Sequence, residues 1–262
     1  MEKEYVVGVD IGGQSTKIGV VDRRGNIVCQ TVITSKYEAD QGDIFLKSIS
    51  DTILKLTEEV GFESIYGVGI GAPNGNYYRG TIEDAANLPW CKGKVVYLAD
   101  TISSQLNGIP VTVTNDANAA AVGEMTYGAA RGMKNFIMIT LGTGVGSGII
   151  VNGELVYGHD GFAGELGHTC CVRENGRVCG CGKKGCLEAY TSAIGVARTA
   201  REWLEFSKEP SLLRNIEEIT SKDVYEAALE GDKIAIEVFN YTGKKLGEKF
   251  ADFVSFSAPE AI

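Results

Sequence analysis

The sequence predicts an α/β protein in two halves, each opening with a β-meander turned on glycines. Val6 to Val28, "VVGVDIGGQSTKIGVVDRRGNIV", reads as strand, glycine turn, strand, tight turn at Arg24-Gly25-Asn26, strand. Ile137 to Val156, "IMITLGTGVGSGIIVNGELV", repeats that order and closes on Asn152-Gly153, a strong hairpin signal. The remainder of the second half carries helical periodicity.

The elements follow in order. A helical stretch runs near Asp43 to Val60, then a buried strand "IYGVGIGAP" from Ile65 to Pro73 and a strand "VTVTND" from Val111 to Asp116. Asn115-Asp116 opens an Ala-rich helix, "DANAAAVGEMTYG", punctuated by Gly128. After the second meander, helices are predicted over Glu188 to Phe206, Ser221 to Glu230 and Asp232 to Phe256. No linker or low-complexity tract divides the chain. Element order alone places a smaller α/β domain at 1–116 and a larger one at 117–262.

Composition excludes several partners. The 262 residues are 44% hydrophobic, enough for a full core, and the net charge of -9 argues against nucleic acid, whose binders need clustered Lys and Arg. Met1 to Glu4 is charged and runs straight into "YVVGVDIG", with no secretory apolar region. The longest apolar stretch, Phe136 to Val151, is broken by four glycines and two threonines and makes a poor membrane span. The reading is a cytoplasmic protein with a small-molecule partner, and in a reducing compartment its seven cysteines point to metal or catalysis before disulfides.

Each glycine turn fits either a tight hairpin or a phosphate cradle, since glycine supplies the positive φ that both need. Two alike favour the cradle, because backbone N–H groups from opposed hairpins can grip a polyphosphate. A Rossmann reading of "GTGVGSG" fails because "GIIVNGELV" continues as strand where that fingerprint opens a helix. Asp116 reads either as an N-cap or as a carboxylate at the carboxyl end of a central strand, where it could take a proton from a sugar hydroxyl attacking phosphorus.

The stretch "VCGCGKKGCLEAY", with "GELGH" upstream, gives the spacing H-x10-C-x-C-x4-C from His168 through Cys179 and Cys181 to Cys186. One imidazole and three thiolates suit a closed, tetrahedral, structural zinc site. A CxC pair is no redox CxxC, and a disulfide is the weaker reading in this compartment. The metal would fix Glu165 and His168 on one flank of the loop and Glu188 on the other. Cys29, Cys91, Cys170 and Cys171 read as core or loop residues, the last two close to the cluster.

In this order "DIGG", "GIGAP", "TNDANAAAVGE", "LGTGVGSG", "GELGH" and "CGCGKKGCLEAY" resemble the ROK kinases (repressor, open reading frame, kinase) over nearly the whole chain. The resemblance implies a two-domain actin-like ATPase (ribonuclease H-like) fold with a duplicated β-meander and a cleft between domains. It implies ATP and Mg²⁺ beside structural Zn²⁺, with Asp10, Gly12 and Gly13 in the first phosphate turn and Asp10 near the magnesium. Gly142, Thr143, Gly144 and Gly146 would form the second turn. Asp116 is similar to the family's catalytic base, and Asn87, Asn115, Asp116, Glu165, His168 and Glu188 match its sugar ligands. His168 is similar to the zinc ligand as well, with Cys179, Cys181 and Cys186.

Gln14 stands where the family has a hydroxyl after "DIGG". Family members also continue past a segment like "SAPEAI" into an apolar strand and a glycine-rich adenosine loop, so the chain is expected to be a shortened version of a longer one. The expected activity is that of a glucokinase-type hexose kinase, acting on the 6-hydroxyl of glucose and assembling as a homo-oligomer, dimer or tetramer. "NLPW" at Asn87 to Trp90 and "GCLEAY" lean toward glucose. Fructose, allose, mannose and N-acetylhexosamine stay open, as do a zinc-stabilised binding module and a ROK-type sugar sensor. The repressors carry an N-terminal helix-turn-helix, for which a first strand at Tyr5 is expected to leave no room.

Overall fold

The computed structural model describes residues 3–262. Met1 and Glu2, read above as part of a charged N-terminus, lie outside the described residues. The chain forms two compact units, one made of residues up to Gly132 with Leu155–Ala163, the other of Met133–Glu154 with Gly164–Ile262.

In the first unit β1 (Tyr5–Ile11), β2 (Ser15–Asp22) and β3 (Ile27–Thr34) form the expected antiparallel meander. Alternation along β1 buries Val7, Val9 and Ile11 and turns Val6, Gly8 and Asp10 outward, as a half-buried strand requires. Helix α1 (Gly42–Leu56) covers the buried face with Phe45, Leu46, Ile49 and Ile53. Strand β4 (Ile65–Ala72) then joins β1 in parallel.

Next come three short strands, β5 (Gly75–Asn76), β6 (Thr81–Glu83) and β7 (Val95–Val96), in a small sheet of their own, and helix α2 (Leu98–Gln105). None of these four was foreseen. Two- and three-residue strands give no period to read, and α2, "LADTISSQ", spans barely two turns. Strand β8 (Val111–Asn115) completes the main sheet in the order β3-β2-β1-β4-β8, and α3 (Asp116–Tyr127) follows without a loop. The expected boundary at 116/117 falls at the start of α3, whereas the first unit runs on through it. The helix lies on β4 closely enough that a Cβ on Gly71 would meet Ala119 Cβ at 3.3 Å.

The second unit opens with β9 (Phe136–Leu141) and β10 (Val145–Val151), which pair antiparallel, and β11 (Glu154–Leu155) completes their sheet in the order β11-β10-β9. Asn152 and Gly153 both take positive φ, 53° and 81°, as the turn between β10 and β11 demands. Helices α4 (Glu188–Thr191), α5 (Ala193–Phe206), α6 (Ser221–Leu229) and α7 (Lys233–Ser257) follow. The single helix expected from Glu188 to Phe206 is thus two. Ser192 takes an extended ψ of 167° and caps α5 through the Gly195 N–H, and a residue cannot do that inside a helix. Val196, Ala200, Val224, Ile234 and Val238 form the helical core, while Ile137, Leu187 and Phe253 tie β9 to α4 and α7.

Candidate functional site

In the first unit, parallel pairing brings the carboxyl ends of β1 and β8 to the same end of the sheet, on either side of β4. Asp10 lies beside Gly71, and Gly71 beside Thr114. A Cβ on Gly71 would come 3.4 Å from Asp116 Cα, so a glycine in "GIGAP" lets the helix start settle onto the strand.

Asp116 is not the N-cap. That position belongs to Asn115, whose Oδ1 accepts the Ala117 N–H at 2.8 Å, and Asp116 is the first helical residue. Asp116 is open to solvent on one side. Protein crowds its carboxyl elsewhere, and this desolvation raises its pKa above the usual carboxylate value, with the Ala117 N–H offsetting part and the negative charge of Asp10 adding to it. Asp10 itself is exposed, 4.0 Å from the Lys17 ammonium on the neighbouring strand. The first glycine turn is closed by Gly12 N–H to Ser15 O at 3.0 Å. Asn87 packs against it, since a Cβ on Gly13 would meet the Asn87 backbone oxygen at 3.2 Å.

In the second unit β10 is the scaffold. The Ser147 hydroxyl donates to the Gly164 carbonyl and accepts the Leu166 N–H at 3.1 Å, which fixes the segment carrying Glu165. Gly167 lies under the Val145 carbonyl, where any side chain would collide with backbone. From the other side Glu188, first residue of α4, accepts the Val145 N–H on Oε2 at 2.9 Å. The second glycine turn is held besides by Gly142 O accepting the Ala193 N–H at 2.9 Å and by Gly142 N–H to Gly144 O at 3.0 Å. Thr143 is exposed at its tip, and Gly146 follows within β10.

The ligand atoms of His168, Cys179, Cys181 and Cys186 all lie within 4.8 Å of one another. Cys179 Sγ stands 3.6 Å from His168 Nδ1, and Cys181 Sγ 3.7 Å from Cys186 Sγ. Zinc–sulfur bonds of about 2.3 Å in a tetrahedron put neighbouring sulfurs about 3.8 Å apart, so the donor set fits such an ion. His168 Nε2 faces Glu165 Oε2 at 3.9 Å, the outer carboxylate a metal-bound imidazole commonly has. Burial pushes the Cys179 thiol up to about 12, and the thiol contacts Glu188 Oε1 at 3.4 Å. Cys179 therefore touches both flanks of the loop. Cys170 is exposed, with Sγ toward the Val172 carbonyl, and Cys171 is half-buried; neither belongs to the four-residue set.

Sequence reasoning missed Arg177. Its nearly buried guanidinium joins Glu202, donates to the Ala189 carbonyl at 3.0 Å and to Thr199 Oγ1 at 2.9 Å, and lies 4.5 Å over the Tyr190 ring. It thereby clamps the loop with Cys179 to the helices after Glu188. The signal available was one basic residue just ahead of the CxC pair, too little to name a partner. Ser147 was missed too, being read only as part of a glycine-rich turn.

The chain matches the ROK family over residues 6–262. It is 37% identical to a glucokinase of Halalkalibacterium halodurans over all of its own length and 80% of that relative's. A ROK family glucokinase from Streptomyces griseus, solved with glucose and AMPPNP, superposes with a TM-score of 0.76 at 35% identity, covering 97% of this chain and 80% of that one. A ROK family transcriptional regulator, a homologue of the E. coli MLC protein, gives 0.84 at 28% identity, covering 98% and 63%. The fold is that of the sugar kinases of the actin-like ATPase class. The chain belongs to the ROK family.

Proposed function

We propose that the chain is a cytoplasmic glucokinase, transferring the γ-phosphoryl group of ATP to the 6-hydroxyl of glucose. The observation that carries this is Asp116. Its carboxyl stands at the carboxyl end of β8, shares the Ala117 N–H with the Asn115 cap, and is held above the usual carboxylate pKa by desolvation and by Asp10. A base so tuned accepts a hydroxyl proton more readily at neutral pH than an ordinary carboxylate does. The relatives named glucokinase, matched over the whole chain, support the reading.

Asn87, Asn115, Glu165, His168 and Glu188 would hydrogen-bond the sugar hydroxyls and aim the 6-hydroxyl at the phosphorus. Gly12 and Gly13, with Gly142, Thr143, Gly144 and Gly146, would offer backbone N–H groups to the phosphates. Asp10 suits Mg²⁺, which is held by one or two carboxylates together with phosphate oxygens and neutralises their charge. His168, Cys179, Cys181 and Cys186 would hold a structural Zn²⁺, and the site's work is to hold the backbone that carries Glu165 and Glu188. A homo-oligomer is part of the proposal.

The likeness to a transcriptional regulator favours a second reading, a sugar sensor without catalysis. ADP release coupled to a detector, with ATP at millimolar concentration and a panel of hexoses, separates the two. Glucose-dependent release supports the kinase, and glucose binding without release supports the sensor.

A further inference from the structure

We propose that Glu188 gates the second glycine turn: its carboxylate occupies the Val145 N–H until sugar hydroxyls draw it away and release that N–H for a phosphate oxygen. The inference rests on the sugar-kinase reading and adds to it a coupling between the two substrates.

The geometry shows a carboxylate seated on a backbone N–H of the second glycine turn. Glu188 Oε2 lies 2.9 Å from the Val145 nitrogen, and a Cβ on Gly144 would come within 2.6 Å of that oxygen. One N–H serves one strong acceptor at a time, and carboxylate and phosphate repel each other as like charges. Glucose presents hydroxyl donors, which a carboxylate can accept in exchange for the amide.

The turn does not depend on Glu188 for its shape. Gly142 O is held by the Ala193 N–H at 2.9 Å, and Gly142 N–H closes on Gly144 O at 3.0 Å. Two holds are thus independent of Glu188, and the third, through the Val145 N–H, is exchangeable. Among the described residues Oε1 meets the weakly donating Cys179 thiol at 3.4 Å, so the carboxylate can turn at modest cost. Sugar binding would thus raise affinity for phosphates, and by linkage phosphates would raise affinity for sugar. Without sugar, the carboxylate in the phosphate's place would restrain transfer of phosphoryl to water.

The test follows the Val145 amide in the isotopically labelled full chain by hydrogen exchange, with and without saturating glucose. The gate expects exchange about tenfold faster with glucose, the loss of one charge-assisted hydrogen bond, and renewed protection when magnesium tripolyphosphate is added. This probe meets the turn without needing an adenine pocket. Calorimetry on the same sample reports whether glucose is bound. If glucose binds and the Val145 amide stays equally or better protected, Glu188 is a fixed brace and the gate is overturned alone. If glucose does not bind at all, the sugar-kinase reading falls and the gate with it. In the absence of sugar, Glu188→Gln and Glu188→Ala should both bind magnesium tripolyphosphate more tightly than the unmodified chain. Equal or weaker binding by the folded Gln variant would also overturn the gate.

Discussion

Asn115 Oδ1 accepts the Ala117 N–H at 2.8 Å, so α3 is capped by the residue before Asp116. Asp116 can then be changed without removing the cap, and chemistry can be separated from folding at this position.

Asp116→Asn should lower kcat by about 10² to 10⁴, the range for loss of a general base, while glucose binding by calorimetry persists. Because the folded pKa of Asp116 is raised above 3.8, ionisation is less favourable in the folded than in the unfolded chain. Stability contributed by the protonated form is present below 3.8 and lost as pH rises through the folded value. The Asn variant should therefore melt higher than the unmodified protein at pH near 7, with the gain vanishing below the ordinary carboxylate pKa. The acid limb of kcat/KM should lie above that ordinary value. Unchanged kcat in a folded Asn variant would remove Asp116 from the chemistry.

Metal binding should stabilise the second unit and release protons. The Cys179 thiol, pushed up to about 12 in the metal-free chain, must lose its proton to become a ligand. Elemental analysis should find one zinc per chain, and acidification should release it as protons compete for the thiolates. Cys181→Ser should lose the metal and bind glucose more weakly, since the loop between Glu165 and Glu188 relaxes. Protein purified without chelator and free of metal would contradict this.

The meanders, the main helices and the convergence of His168 with Cys179, Cys181 and Cys186 were legible because each has a period or spacing that few alternatives share. "NG" at Asn152-Gly153 and the H-x10-C-x-C-x4-C run are local signals, fixed by φ at two residues or by the reach of four ligands. What was illegible depends on distant partners. Ser192 breaks α4 from α5, which the apolar pattern through both helices conceals. Arg177 gains its meaning from Glu202, and Ser147 from Gly164, neither of which its own neighbourhood announces.

Arg177→Met should weaken the clamp behind the metal loop. Losing charge-assisted bonds to Glu202, Thr199 and the Ala189 carbonyl should cost about 1 to 3 kcal/mol in urea denaturation, the scale for unpairing buried polar groups. KM for glucose should rise more than kcat falls, because Ala189 follows Glu188 directly. Arg177→Lys should restore part of the stability and little of the forked pairing.

Gly167 and Gly142 should behave oppositely. A methyl on Gly167 collides with the Val145 carbonyl, which cannot move aside as a side chain would, whereas a Cβ on Gly142 meets nothing within 4 Å. Gly167→Ala should lose about 1 to 3 kcal/mol, the usual cost of overpacking. Gly142→Ala should stay within about 0.5 kcal/mol, as a surface substitution does.

The central claim, phosphoryl transfer to glucose, is tested most directly by ADP release from saturating ATP with glucose, mannose, allose, fructose and N-acetylglucosamine in turn. A site that pairs each hydroxyl loses about 1 to 3 kcal/mol when one is missing or inverted. Glucose should therefore lead its epimers by at least roughly tenfold in kcat/KM, with glucose 6-phosphate as the product. ADP release that is the same with and without glucose would contradict the claim.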